Sequence, residues 1–197
     1  MRSEAVFRYL FAAGAVSMMS IRLYYQAKVL HGKVEVREGS VSLIAGSIAA
    51  LTTIVFGIEY LVYPGLFPFA YALRYPGWLR WLGAAVLGAG LVLLWLSHHH
   101  LGTSFHSLVA SKEDQKLVTT GPYRWMRHPI YTAYLMNYVG GGLLASNVVL
   151  TLVPAAAYAI LVGIRMPREE ELLQERFGEA YREYVKRTGR LLPRLNG

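Results

Sequence analysis

Five apolar stretches, residues 5–21, 41–63, 79–97, 130–145 and 148–164, decide what this chain can fold into. Crossing the hydrocarbon core of a bilayer takes about 20 apolar residues of helix, with a range of about 17–25. In that core every backbone N–H and C=O must find a partner within the protein, and a helix satisfies them inside one segment. The longest stretch, 41–63, carries a single charge, Glu59, in its last turn. Residues 79–97 hold Arg80, Trp81 and Trp95 near their ends, the pattern of an interfacial aromatic belt. Only Ser146-Asn147 separates the last two stretches, which implies a tight antiparallel helical hairpin. The expectation is an all-α integral membrane protein with about five transmembrane helices.

Composition agrees with this reading. Hydrophobic residues make up 54% of the 197 and charged residues only 16%, with a mean hydropathy of +0.33. A soluble domain carries about 25% charged residues. The length suits one domain, 1–197, divided into N-terminal helices (1–63) and a core (79–197). Cysteine is absent, which excludes disulfides, thiolate metal sites and cysteine nucleophiles. Ala13-Gly14-Ala15 matches a signal-peptide cleavage pattern. The apolar run continues past it, however, and Arg8 interrupts the would-be hydrophobic region, so residues 5–21 read as a retained helix.

The net charge of +8 is unevenly placed. Segments 22–40, 98–129 and 165–197 hold four, four and eight of the twenty Lys and Arg residues. Five spans put those three segments on one side, and the positive-inside rule makes that side cytoplasmic, together with the C-terminus. Charge concentrated next to the bilayer suits anionic lipids and removes nucleic acid as a partner. Between residues 168 and 187, apolar side chains recur at Leu172/Leu173, Phe177, Tyr181 and Tyr184/Val185. That helical period predicts an amphipathic cytoplasmic C-terminal helix.

Two segments gather polar groups where an apolar chain should shed them. The first, GPYRWMRHPIY (121–131), ends a long loop that begins at His98 and holds five of the six histidines. Pro129 suits the first turn of a helix. Arg127-His128 would then sit at a helix N-terminus, where free N–H groups and the dipole favour an anion. Arg124 and Arg127 also serve as simple topology anchors. His98-His99-His100 reads as a polar cap: adjacent helical residues diverge by about 100°, so no metal is expected there.

The second segment is RMPREEE (165–171). Met166-Pro167 should kink or restart the helix, leaving Glu169, Glu170 and Glu171 in a first turn stabilised by the dipole. If the helix instead continues, Arg165 and Glu169 share a face and together can grip a zwitterionic ligand or a substrate carboxylate. There is no G-x-G-x-x-G, Walker A or G-x-S-x-G motif.

Taken together, LGTSFHSLV…LVTTGPYRWMRHPIYTAYL and REEELLQERFGEAYREYVKR resemble the isoprenylcysteine carboxyl methyltransferase family and the related bacterial phospholipid methyltransferases. The likeness covers roughly residues 101–194, about half the chain. It implies a membrane enzyme that uses S-adenosylmethionine without a Rossmann domain and releases S-adenosylhomocysteine. It assigns Lys116, Leu117 and Val118 to the adenosine region. Tyr123, His128 and Tyr131 would contact adenosine and methionine, and Glu169 would hold the methionine amino group. Arg165 would meet the carboxylate of a prenylated cysteine whose lipid tail enters from the bilayer. The expected reaction is therefore methyl esterification of that carboxylate. A phospholipid amine N-methyltransferase is the alternative, with Arg165 on the lipid phosphate. A non-catalytic membrane scaffold is the reading from another class. A small transporter fits poorly, given the short hairpin and the lack of polar residues within the helices.

Overall fold

The structure is a computed structural model and describes residues 2–28, 39–102 and 117–194. Among the described residues, six α-helices follow in chain order: α1 (Arg2–Ala27), α2 (Ser40–Val62), α3 (Gly77–Leu101), α4 (Pro129–Ala145), α5 (Val148–Phe177) and α6 (Glu179–Arg187). Short 3-10 turns occupy Pro68–Tyr71 and Gly121–Arg124. Among the described residues the only β-type pairing is an isolated parallel bridge between Met126 and Gly189.

Among the described residues, four helices, α1, α2, α3 and α5, are long and apolar enough to cross a membrane. The chain is thus a multi-pass integral membrane protein. The expected fourth stretch is a helix too, but at 17 residues α4 is the shortest of the five long ones. How the helices present their faces also fits lipid. Buried positions of α2 include Ser42, Ala45, Ala49 and Gly57, while Leu43, Ile48, Leu51, Ile54 and Ile58 face outward. Small residues between helices and large aliphatic ones outside is the arrangement of helices solvated by hydrocarbon.

Helices α3 and α4 form the tightest pair, because glycines let their backbones touch. A Cβ at Gly83 would lie 2.6 Å from the Leu144 nitrogen, and one at Gly140 would lie 2.6 Å from the Leu87 nitrogen. α4 turns back onto α5 through the hairpin, α2 packs on α5, and α1 packs on α3 and α4. In the hairpin, Ser146 takes the left-handed conformation (φ 54°), and the Asn147 side chain accepts the Leu150 N–H at 2.9 Å. The link is tight, as expected, and capped by its own asparagine.

Two expectations about the C-terminal third need correction. The helix does not restart at Met166-Pro167; α5 is a single 30-residue element containing both Pro154 and Pro167. Glu169 to Glu171 therefore sit inside a helix rather than in a first turn. Proline removes one backbone bond, but the residues beyond it are tied to other segments by the contacts described below, which offset that loss. Second, the amphipathic stretch 168–187 is two pieces. Gly178, at φ +50° and ψ −119°, ends α5 and starts α6. A positive φ of this kind is open to glycine at little cost and strains other residues.

Candidate active site

The site forms where three separated segments meet at one end of α4. Pro129 occupies the first turn of that helix and His128 the position before it. Tyr131, one turn on, donates its hydroxyl hydrogen to Glu169 Oε1 on α5. The His128 ring stacks on Tyr131, with centroids 5.6 Å apart and planes 18° from parallel. Its Nδ1 lies 3.7 Å from Glu169 Oε2, and its Nε2 lies 3.3 Å from Glu170 Oε1. Because α5 continues through Pro167, half-buried Arg165 stands one turn before Glu169, and its charge reaches that carboxylate.

Glu170 faces the other way and collects cations. Arg127 Nε donates to its Oε1 at 2.8 Å, and Arg190 Nη2 approaches its Oε2 at 2.8 Å. Arg127 also donates to the Thr188 carbonyl at 2.6 Å. The segment 188–194 is laced to 125–132 by backbone bonds: Arg127 N–H to Gly189 O (2.9 Å), His128 N–H to Arg190 O (3.0 Å) and Gly189 N–H to Trp125 O (3.0 Å). Thr132 adds a side-chain bond to the Leu191 carbonyl at 2.6 Å. This C-terminal strap, invisible in the sequence pattern, holds the Arg127-His128 corner in place.

Tyrosines build the remaining wall. Tyr123 is buried, and the Tyr184 hydroxyl donates to its carbonyl at 2.7 Å. Burial pushes the Tyr123 phenol above its ordinary range and the Tyr181 phenol up to about 12, so both stay protonated donors in ordinary buffers. Deeper along α4, Tyr131, Tyr134 and Tyr138 each pack on Tyr158 of α5, with centroid distances of 6.2, 5.5 and 5.4 Å.

Of the residues singled out from sequence, the structure brings His128, Tyr131 and Arg165 to the Glu169 carboxylate, whose charge also reaches buried Tyr123. Leu117 and Val118 are half-buried just before the Gly121 turn. Lys116 lies outside the described residues. The histidine triplet ends α3 with its rings splayed. His98 stacks on Tyr25, His99 on Trp95, and His100 Nδ1 lies 3.3 Å from Thr120 Oγ1. Among the described residues no group of three His, Cys, Asp or Glu is placed to hold a metal ion. Sequence reasoning passed over Glu170, which looked like a helix-end charge, and read Arg127 as an anchor or as part of a helix N-terminus that suits an anion, not as the partner of Glu170. Their signal was the alternation of cation and carboxylate between RWMRHP and REEE, which becomes meaningful only once the segments are side by side.

An arginine and a glutamate one turn apart, walled by tyrosines and a histidine, thus lie together at one end of a bundle of apolar helices. Residues 81–175 match the model of the isoprenylcysteine carboxyl methyltransferase family. The chain is 30% identical over 179 residues to protein-S-isoprenylcysteine O-methyltransferase B of Arabidopsis thaliana, covering 88% of this chain and 86% of that one. It is 32% identical over 117 residues to a nickel-cobalt-cadmium resistance protein of Alcaligenes xylosoxydans xylosoxydans, covering 59% of this chain and 54% of that one. A solved eukaryotic intramembrane Ras methyltransferase superposes with a TM-score of 0.59 at 29% identity, over 77% of this chain and 53% of that one. The chain thus spans about half the length of that solved protein. It belongs to the isoprenylcysteine carboxyl methyltransferase family.

Proposed function

We propose that the protein is an S-adenosylmethionine-dependent methyltransferase that esterifies the carboxylate of a prenylated cysteine. The observation that carries this reading is the Glu169 cluster, with Tyr131 and His128 on one side and Arg165 one turn away, in a chain of this family. The residues present fit the methionine end of the cofactor. Glu169 Oε2 and His128 Nδ1, 3.7 Å apart, are spaced so that one primary ammonium can donate to both. Glu169, His128, Tyr131 and Tyr123 would hold that end, with Lys116, Leu117 and Val118 along the adenosine. When bound, the cofactor supplies an already activated sulfonium methyl group.

The chain's own residues then have a simple task. A carboxylate acceptor is ionised near neutral pH, so no general base is required. Arg165 orients the acceptor carboxylate and offsets its desolvation, and positioning supplies most of the rate. The lipid tail would enter from the bilayer between helices; a crevice of about 50 Å³ lies chiefly between α1 and α4, lined by Phe11, Gly14, Met18, Thr53, Leu87 and Asn137. In this reading α4 is the fifth span, the C-terminus and site are cytoplasmic, residues 79–197 are the catalytic core and 1–63 its lipid-side support.

The decisive experiment is incubation of the purified protein with labelled S-adenosylmethionine and either a farnesylated cysteine or phosphatidylethanolamine. Base-labile label on the farnesylated cysteine is the expected result. Stable label on the phosphatidylethanolamine amine would replace the ester reading with N-methylation. Label on neither, together with no calorimetric heat from S-adenosylhomocysteine, would favour a scaffold.

A further inference from the structure

The proposed chemistry uses Glu169 and leaves Glu170 without a task. Successive residues of a helix point about 100° apart, so the two carboxylates face different neighbours. Glu169 faces Tyr131, and Glu170 faces Arg127 and Arg190. His128 lies between them. Its Nε2 is within hydrogen-bond distance of Glu170, at 3.3 Å, and its Nδ1, at 3.7 Å from Glu169, is not. An ionised carboxylate only accepts hydrogen bonds, so the Glu170 contact requires the proton to sit on Nε2. A neutral imidazole has one N–H, which leaves Nδ1 an acceptor on the Glu169 side.

We propose that Glu170 is a positioning residue that holds His128 in its Nε2-protonated tautomer, so that Nδ1 and Glu169 present a paired acceptor to a primary ammonium of the ligand. Glu170 is itself held in place. Its Oε1 takes Arg127 Nε as well as His128, and its Oε2 takes Arg190. Its side chain is only 13% exposed and that of Arg127 only 7%, while Arg190 is 59% exposed. Arg127 is therefore the main anchor, and it is fixed in turn by the Thr188 and Val185 carbonyls. Through this chain the C-terminal strap sets the ring nitrogen that the site offers. A flipped tautomer would place an N–H where the ammonium needs an acceptor and so repel it. The tautomer assignment stands on geometry alone; its consequence for the cofactor rests on the methyltransferase reading.

The first test needs no variant. With only six histidines in the chain, 15N-histidine labelling in detergent or nanodiscs gives a readable spectrum, and His128→Gln identifies the signal. At alkaline pH, where a free imidazole is neutral, His128 should show a protonated Nε2 and an unprotonated Nδ1. A protonated Nδ1, or a ring protonated on both nitrogens, would overturn the proposal. The second test is Glu170→Gln, which keeps shape and removes charge. S-adenosylhomocysteine affinity should fall about tenfold, the cost of one weakened charged hydrogen bond. The acceptor KM should stay unchanged at saturating cofactor, and the His128 signal should shift toward mixed tautomers. Unchanged affinity with an unchanged His128 signal would sink the proposal. If the wild type binds no S-adenosylhomocysteine while His128 is protonated on Nε2, the methyltransferase reading falls and the tautomer assignment stands.

Discussion

The two ends of α4 carry opposite kinds of charged cluster. At the C-terminal end, Arg80 gives Nε to the Leu144 carbonyl (2.9 Å), Nη1 to Glu4 (2.6 Å) and Nη2 to both Glu4 (3.1 Å) and the Tyr60 hydroxyl (3.0 Å). Its guanidinium lies 4.0 Å above the Phe7 ring. Nearby, Glu59 accepts from the Gly65 N–H and the Tyr71 hydroxyl at 2.7 and 2.6 Å. Four of the five N–H donors of that arginine are spent on locking α1, α2, α3 and the end of α4 together. At the N-terminal end, about 24 Å away along the helix by its rise per residue, His128 and Glu169 approach each other without bonding. A cluster whose partners are all internal stabilises the fold, whereas the pair left at non-bonded distance is the one proposed above to take a ligand.

That contrast can be broken by mutation. The largest effect should come from Glu169→Ala, which removes one half of the acceptor pair. S-adenosylhomocysteine binding should drop by about 100-fold or more in calorimetry, with a melting temperature close to wild type. Arg165→Ala should retain cofactor affinity and lower turnover by about 100-fold, as expected for a misaligned nucleophile. Steady-state kinetics with farnesylated cysteine checks this, and full turnover would remove the orienting role assigned to Arg165. At the other end the signature should invert. Arg80→Ala should destabilise the protein by about 2 kcal/mol, a figure reduced for the partial exposure of Glu4. Cofactor affinity of the folded fraction should be unchanged. Thermal unfolding in detergent alongside calorimetry separates the two quantities. Smallest of all, Lys186→Ala, which breaks a fully exposed pair with Glu183, should leave both readouts at wild-type values.

The same contrast marks what was readable from the chain. Arg165 and Glu169 were legible because a separation of four places two residues on one helix face, provided that the helix survives Pro167. Whether it survives was not legible, because the contacts that sustain it come from residues 125–132 and 188–194, distant in the chain. Glu4 and Arg80 are 76 positions apart and lie in different helices. No local period links them, and read alone each passes for a helix-end charge.

Apolar length and backbone satisfaction in hydrocarbon determined the helices. The two-residue link determined the hairpin, and Pro129 the start of α4. These are local consequences of solvent and covalent geometry, which any chain with this pattern must obey. Only the tertiary structure decided that α5 runs unbroken to Phe177, that Gly178 splits the amphipathic stretch, and that the C-terminal strap returns to pin His128. Those outcomes depend on hydrogen bonds and ion pairs between segments that the chain order keeps apart. Their energies outweigh local preferences such as the proline break once packing has brought the partners within reach.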